Sequence, residues 1–245
     1  MQKVCLIIPC YNEENRLNVK AFSDFLQKYN NLTFCFVNDG SMDRTIEILN
    51  LIKKDNNERI IVLHLNTNSG KAEAVRKGVL YAMELNLFEF IGYWDADIST
   101  PLEELCFLLE PFFKNENVQF VLGSRMKRLG SSINRKTMRH ITGRIFSTFS
   151  SMILNLPVYD SQCGAKIFRS KISRILFEDA FVSKWLFDVE LLARFKNHFG
   201  LLQTLQSCYE VPLSKWNEVG GSKLRFGHFM KVPFDLFKIY FHYNK

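Results

Sequence analysis

The chain lacks several features that would each have fixed a class. No run of about eighteen uninterrupted apolar residues occurs in its 245 residues, which argues against a conventional membrane-spanning helix. Its first residues, M-Q-K-V-C-L-I-I-P-C, meet charge too soon for a secretory signal. Six cysteines lie far apart with no C-x-x-C pair, so a zinc cluster or a disulfide framework is disfavoured. Reduced thiols in a cytosolic compartment are the expectation. No G-x-G-x-x-G follows the first apolar run, which speaks against a dinucleotide site, and Gly70-Lys71 continues into Ala72 rather than into a Walker loop. The five histidines are scattered, with no pair four residues apart around a glutamate. There is no internal repeat and no linker rich in Pro, Gly or Ser.

The most informative absence is one of negative charge. Between Asn117 and Tyr159 there is no Asp or Glu, while Arg125, Lys127, Arg128, Arg135, Lys136, Arg139 and Arg144 supply positive charge. That window alone carries as much charge as the whole chain's net +7. From Lys223 to Lys245 a further five bases face the single acid Asp235. Two basic regions on a mildly acidic body point to a local anionic partner, a phosphate or an anionic membrane surface, rather than nucleic acid.

What is present is an alternation of β-type runs and amphipathic stretches. Strands are expected over 3–9, 32–38, 59–65 and 88–94. Helices are expected over 14–29, 42–55 with Ser41 as cap, and 70–86. This order predicts an α/β fold: a Rossmann-like, mostly parallel sheet with helices on both faces. Further on, a helix over 102–114, strands over 119–123, 165–168 and 201–211, and helices over 171–177 and 186–198 are expected. One continuous domain over 1–225 is the simpler account, with two functional halves at 1–99 and 100–225. An aromatic tail occupies 226–245.

In open α/β sheets, ligands settle beyond the carboxyl ends of the strands. Four polar loops fall there: P-C-Y-N-E (9–13), N-D-G-S (38–41), N-S-G-K (68–71) and D-A-D (95–97). Asp95 and Asp97 are two carboxylates close enough to repel unless a cation sits near them. Such an oxygen-rich pair suits Mg²⁺ or Mn²⁺ that also binds substrate phosphates. The competing reading makes Asp97 the N-cap of a helix beginning near Pro101.

P-C-Y-N-E, V-N-D-G-S, D-A-D and G-S-R (123–125), in that order, resemble the signature of the family 2 inverting glycosyltransferases with the GT-A fold. D-S-Q-C-G-A-K-I-F (160–168), W-L-F-D-V-E-L-L (185–192) and the E-V-P-L…V-G-G-S-K-L region (210–224) are similar to the dolichyl-phosphate β-glucosyltransferase branch. The resemblance implies a hexose moved with inversion from a nucleotide diphosphate, UDP-glucose first, to a polyprenyl phosphate. Pro9, Tyr11, Glu13, Asp39, Lys71, Ala96 and Lys223 would then touch the donor. Asp95 and Asp97 would hold the metal, and Arg125 would face the reacting phosphates. Arg135 or Arg139 would meet the lipid phosphate, and Asp188 would position the acceptor or act as base. Ser99, where mannosyl-transferring relatives often have Gln, and W-N-E (216–218) ahead of V-G-G-S-K count against GDP-mannose. A sugar acceptor in surface-glycan synthesis, and a non-catalytic membrane adaptor, are the rival readings.

A polyprenol lives in a bilayer, so its phosphate must be met at the interface. The tail F-G-H-F-M-K-V-P-F-D-L-F-K-I-Y-F-H-Y (226–243) suits an interfacial helix or helix pair interrupted at Pro233, and 145–156 is a second apolar stretch for the same surface. Peripheral attachment to the cytoplasmic face of a membrane is the resulting expectation.

Overall fold

The computed structural model describes residues 3–55, 58–135, 137–219 and 226–243. In chain order the elements begin β1 (Val4–Cys10), α1 (Val19–Lys28), β2 (Leu32–Asp39), α2 (Thr45–Asp55), β3 (Ile60–Leu65), α3 (Lys71–Glu84) and β4 (Phe90–Trp94). There follow α4 (Leu105–Lys114), β5 (Phe120–Ser124), β6 (Ser132–Asn134), α5 (Thr137–Leu154), β7 (Ala165–Arg169) and α6 (Ser173–Phe177). The chain closes with α7 (Phe187–Ser207), β8 (Cys208–Pro212), β9 (Lys215–Asn217) and α8 (Phe226–Tyr243). Two compact units form, one from Met1–Ile98 with Gly164–Ala180, the other from Ser99–Cys163 with Phe181–Lys245.

The first unit holds strands in the order β3-β2-β1-β4-β7. β3, β2, β1 and β4 run parallel, and β7 is antiparallel to β4. The near-continuous apolar runs of β1, β2 and β4 are those of strands buried on both faces, as parallel βαβ units require. Phe22 of α1 packs edge-on against Phe34 and Phe36 of β2 at 5.1 and 5.0 Å. On α3, Gly78 permits close approach to the sheet: a Cβ there would overlap Ile7 and lie 2.8 Å from Val37. The register pairs Cys10 with Asn38 and Asn38 with His64, so the strands end together and their loops share one edge.

The second unit is built on two parallel pairs, β5 with β8 and β6 with β9. Glu104 ties β9 to the start of α4. Its buried carboxylate accepts the N–H groups of Ser214 and Lys215 at 3.0 and 2.9 Å, together with the Ser214 hydroxyl. α5 turns Ser147, Ser150 and Leu154 inward and leaves Met138, Ile141, Ile145, Phe149 and Met152 exposed. α8 buries Leu236 and Ile239 and leaves Phe234, Phe237 and Phe241 exposed. Both outer stripes keep a three-or-four-residue spacing, one face of a helix. No helix among the described residues is long and apolar enough to cross a membrane.

Four local expectations differ from what forms. α1 starts at Val19 rather than 14, because the Glu13 carbonyl holds the N–H groups of Arg16 and Leu17 in a turn and the Asn18 side chain caps Ala21 at 3.1 Å. Ser41 does not cap α2: its hydroxyl accepts the Asn12 N–H at 3.0 Å, and Asp43 takes the Thr45 N–H instead. Residues 201–207 are helical, joined to the rest of α7 through a kink at Gly200 (φ 81°), and only Cys208–Pro212 is strand. α8 continues past Pro233, which is exposed, where water can serve the carbonyl that a proline leaves without a partner.

Candidate active site

Three of the four loops at the carboxyl edge of the first unit are stitched to one another by side chain–backbone hydrogen bonds. Asn12 takes a left-handed φ of 49°, tolerable for Asn, and its side-chain oxygen accepts the Met42 N–H at 2.9 Å. Glu13 donates its N–H to Thr45 Oγ1 at 2.8 Å, and Glu14 donates to Asp43 at 3.2 Å. The first loop is thereby pinned to the second. Asp39 then pins the second to the third, its two oxygens accepting the N–H groups of Ser69 and Gly70, each at 2.8 Å. Gly40 adopts φ 64° and brings its Cα edge against the third loop, where a Cβ would lie 2.6 Å from Asn68 N. Only glycine meets both demands.

At the end of β4 the chain turns at Asp95-Ala96-Asp97. The Ile98 N–H donates to the Asp95 carbonyl at 3.2 Å, and Ile98 itself takes φ 51°. A β-branched residue held there is strained, and such strain gathers at functional sites. The short helical turn beyond begins at Leu102 behind Pro101, so Asp97 is not its N-cap. Gly164 lies against this turn: its carbonyl accepts the Asp95 N–H at 3.1 Å, and a Cβ on it would overlap the Asp95 carboxylate. The glycine reserves the space that carboxylate occupies.

Two cations attend the pair. Lys71, the first residue of α3, donates its Nζ to Asp95 Oδ1 at 2.5 Å, both side chains being part-exposed. Arg16 grips Glu13 through Nε at 2.8 Å and Nη2 at 2.5 Å. Burial pushes the Arg16 pKa down, but Glu13, Asp97 and Asp95 more than reverse this and hold the guanidinium charged. Three carboxylates thus face two cations, an excess of one negative charge. Among the described residues no group of three or more His, Cys, Asp or Glu side chains could hold an ion alone. Two carboxylates with a net negative field fit a hard divalent ion that completes its shell with water and substrate phosphate oxygens.

Arg125, Arg135 and Asp188 lie in the second unit. Arg125 does not stand open: its Nε and Nη2 each donate to Asp160 at 2.7 Å, its backbone N–H adds a third bond at 3.0 Å, and the guanidinium sits over the Trp216 ring. Burial pushes the Asp160 carboxyl up, but Arg125 and then Arg135 outweigh it and bring its pKa to about 2. Glu210 supports the same corner by accepting the N–H groups of Tyr159 and Asp160 at 2.7 and 2.5 Å, and burial raises its own pKa. Arg135 is half-buried, its guanidinium filling the place a side chain at Gly143 would need. Asp188 is buried in the first turn of α7. Lys223 and the side chain of Arg139 lie outside the described residues. Pro9 and Tyr11 are half-buried and Ala96 is buried, all three at the first unit's loop edge.

The sequence reading missed Arg16, Gly164 and Asp160. Asp160 and Gly164 carried a local signal, both standing in D-S-Q-C-G-A-K-I-F (160–168), and Asp160 is also the first acid to end the basic window.

The family model described as "Glycosyl transferase family 2" matches residues 5–177. The dolichyl-phosphate beta-glucosyltransferase of Drosophila melanogaster is 32% identical, covering 98% of this chain and 75% of that protein. One from Trichomonas vaginalis is 29% identical over 96% of this chain and 72% of its own length. Among solved structures, glucosyl-3-phosphoglycerate synthase from Mycobacterium tuberculosis, crystallised with Mn²⁺, UDP-glucose and phosphoglyceric acid, superposes with a TM-score of 0.70 at 15% identity. That match covers 98% of this chain and 80% of that one, and it establishes the shared GT-A fold.

Proposed function

This chain belongs to glycosyl transferase family 2 and is a glycosyltransferase; from that premise we propose that it transfers glucose from UDP-glucose to a dolichyl or other polyprenyl phosphate, with inversion, giving a β-linked lipid-phosphate glucose. The observation that carries the reading is the Asp95-Ala96-Asp97 turn, with Lys71 and Arg16 beside it and Gly164 keeping its space. The names of the relatives supply the sugar and the lipid class.

Asp95 and Asp97 would hold Mg²⁺ or Mn²⁺, which supplies positive charge to the diphosphate oxygens as the nucleotide departs. Lys71 is placed to trade Asp95 for a diphosphate oxygen, and Lys223 is assigned to the same group. Glu13 and Asp39, whose carboxylates hold Arg16 and the third loop, are assigned to the nucleotide together with Pro9, Tyr11 and Ala96. An acceptor phosphate oxygen attacks the anomeric carbon, the bond from that carbon to the diphosphate oxygen breaks, and UDP leaves with the electron pair. A phosphate monoester has a second pKa near ~6, so it arrives anionic and needs no base. Its difficulty is approach to another anion, which the basic window relieves. Arg135 and Arg139 are assigned to that phosphate, and Asp188 to acceptor positioning. Arg125, neutralised by Asp160, contributes less charge than the sequence implied.

The exposed stripes of α5 and α8 support peripheral attachment to the cytoplasmic face of a membrane, where basic side chains meet anionic headgroups. Incubation with radiolabelled UDP-glucose, Mn²⁺ and polyprenyl phosphate tests the function. Label in the organic phase supports it; label that stays aqueous, or that moves only onto a sugar acceptor, overturns it.

A further inference from the structure

α8 does more than present an apolar face. Its inner side is wired to the first turn of α7 by a buried polar network. Glu190 is fully buried, and its Oε1 accepts from the Val182 N–H at 3.0 Å, Arg194 Nη2 at 2.9 Å and the Tyr243 hydroxyl at 2.8 Å. Oε2 accepts the Ser183 N–H at 3.1 Å. The Tyr243 hydroxyl in turn accepts from Arg194 Nε at 2.9 Å. One helical stretch earlier, Asp235 accepts the Ser183 hydroxyl at 3.0 Å, and that hydroxyl accepts the Leu186 N–H at 3.0 Å. Two residues of α8 therefore close both ends of a latch on the 181–186 segment, which leads straight into Phe187 and Asp188.

Burying a carboxylate with no exposure is costly, and a core helix could pack α8 with apolar residues alone. Leu236 and Ile239 already do so. The polar latch adds direction: it fixes the rotation of α7's first turn, and with it the place of Asp188, against a helix whose outer face is apolar. We propose that Tyr243 and Asp235 are positioning residues for the acceptor, holding the 181–190 segment in its binding geometry through Glu190 and Ser183. This rests on the assignment of Asp188 to the acceptor made above, and it makes α8 part of the acceptor site as well as a membrane foot.

The two roles separate with a short-chain polyprenyl phosphate that stays dissolved in the absence of vesicles. Loss of the Tyr243 hydroxyl's two hydrogen bonds, to Glu190 and from Arg194, predicts that Tyr243→Phe weakens binding of this acceptor by at least about tenfold in calorimetry and raises its KM about as much, with the KM for UDP-glucose unchanged. Asp235→Ala should behave alike, whereas Asp235→Asn, which still accepts the Ser183 hydroxyl, should recover wild-type values. Flotation on anionic vesicles should be unchanged in all three, since Phe234, Phe237 and Phe241 are untouched. Hydrogen exchange at Val182 and Ser183 should quicken in Tyr243→Phe, reporting that the latch has opened. If those amides quicken while acceptor binding stays at the wild-type value, the latch is merely structural and the inference fails. If wild-type protein does not bind the soluble acceptor at all, the acceptor assignment falls first and takes the inference with it.

Discussion

Gly164→Ala probes the two-aspartate turn without touching a charged residue. Gly164 does not occupy the left-handed region, so its backbone accepts alanine without strain. The added methyl would overlap the Asp95 carboxylate. The backbone has little freedom to retreat, because the Gly164 carbonyl holds the Asp95 N–H at 3.1 Å. The carboxylate must therefore swing by about an ångström or more to reach ordinary contact distance, leaving Lys71 and the geometry a cation would need. Overpacking of this kind costs about 1–3 kcal/mol, which for a chain of this size lowers Tm by roughly 2–12 °C. The larger effect is on ligand. Saturating wild-type protein with UDP-glucose and Mn²⁺ at about a hundred times Kd should add about 2.7 kcal/mol, a rise of roughly 5–11 °C. The variant should lose most of that rise while keeping a cooperative transition. Thermal shift with and without ligand reads both numbers. A variant that gains as much from ligand as wild type would refute the placement of Asp95 in the donor site.

Acid should weaken the second unit through Asp160. Its folded pKa is depressed from 3.8 to about 2, so its contribution of about 2 kcal/mol is present above pH ~4 and is lost as pH falls toward ~2. Glu210 shifts the opposite way and offsets part of this, and Asp160→Asn should flatten the acid limb of a urea-midpoint profile. Glu104→Ala orphans the Ser214 and Lys215 N–H groups and should cost about 1–3 kcal/mol for each, read as a shift in urea midpoint; an unchanged midpoint would contradict the clamp. Ile145→Glu combined with Phe237→Glu places charge in both exposed stripes. Flotation on anionic vesicles should fall sharply while Tm holds, and undiminished flotation would show that another surface meets the lipid.

The parallel sheet was legible because strands buried on both faces must be written as unbroken apolar runs, and the loops between such runs must be polar. The edge on which those loops gather follows from parallel pairing alone, so the nearness of residues 9–13, 38–41, 68–71 and 95–97 needed no structure. Partners distant in sequence were not legible. Nothing near Asp95 announces Gly164, and nothing near Arg125 announces that Asp160, 35 residues on, will take its charge. Ser41 read as a cap because capping is the commonest use of serine before a helix, yet a loop 29 residues earlier claimed its hydroxyl. Residues 201–207 read as strand from their leucines and threonine, a composition that a two-sided helix after the Gly200 kink shares. Arg16 lay inside what reads as an amphipathic helix, where a basic residue looks like solvated surface.

Asp95 and Asp97 together should hold the cation that receives the departing nucleotide. Electron paramagnetic resonance of Mn²⁺ titrated into the protein with UDP tests it most directly. Wild-type protein should bind one nucleotide-dependent Mn²⁺ per chain, and a folded Asp97→Asn variant should lose it. A bound signal that survives Asp97→Asn undiminished would contradict it.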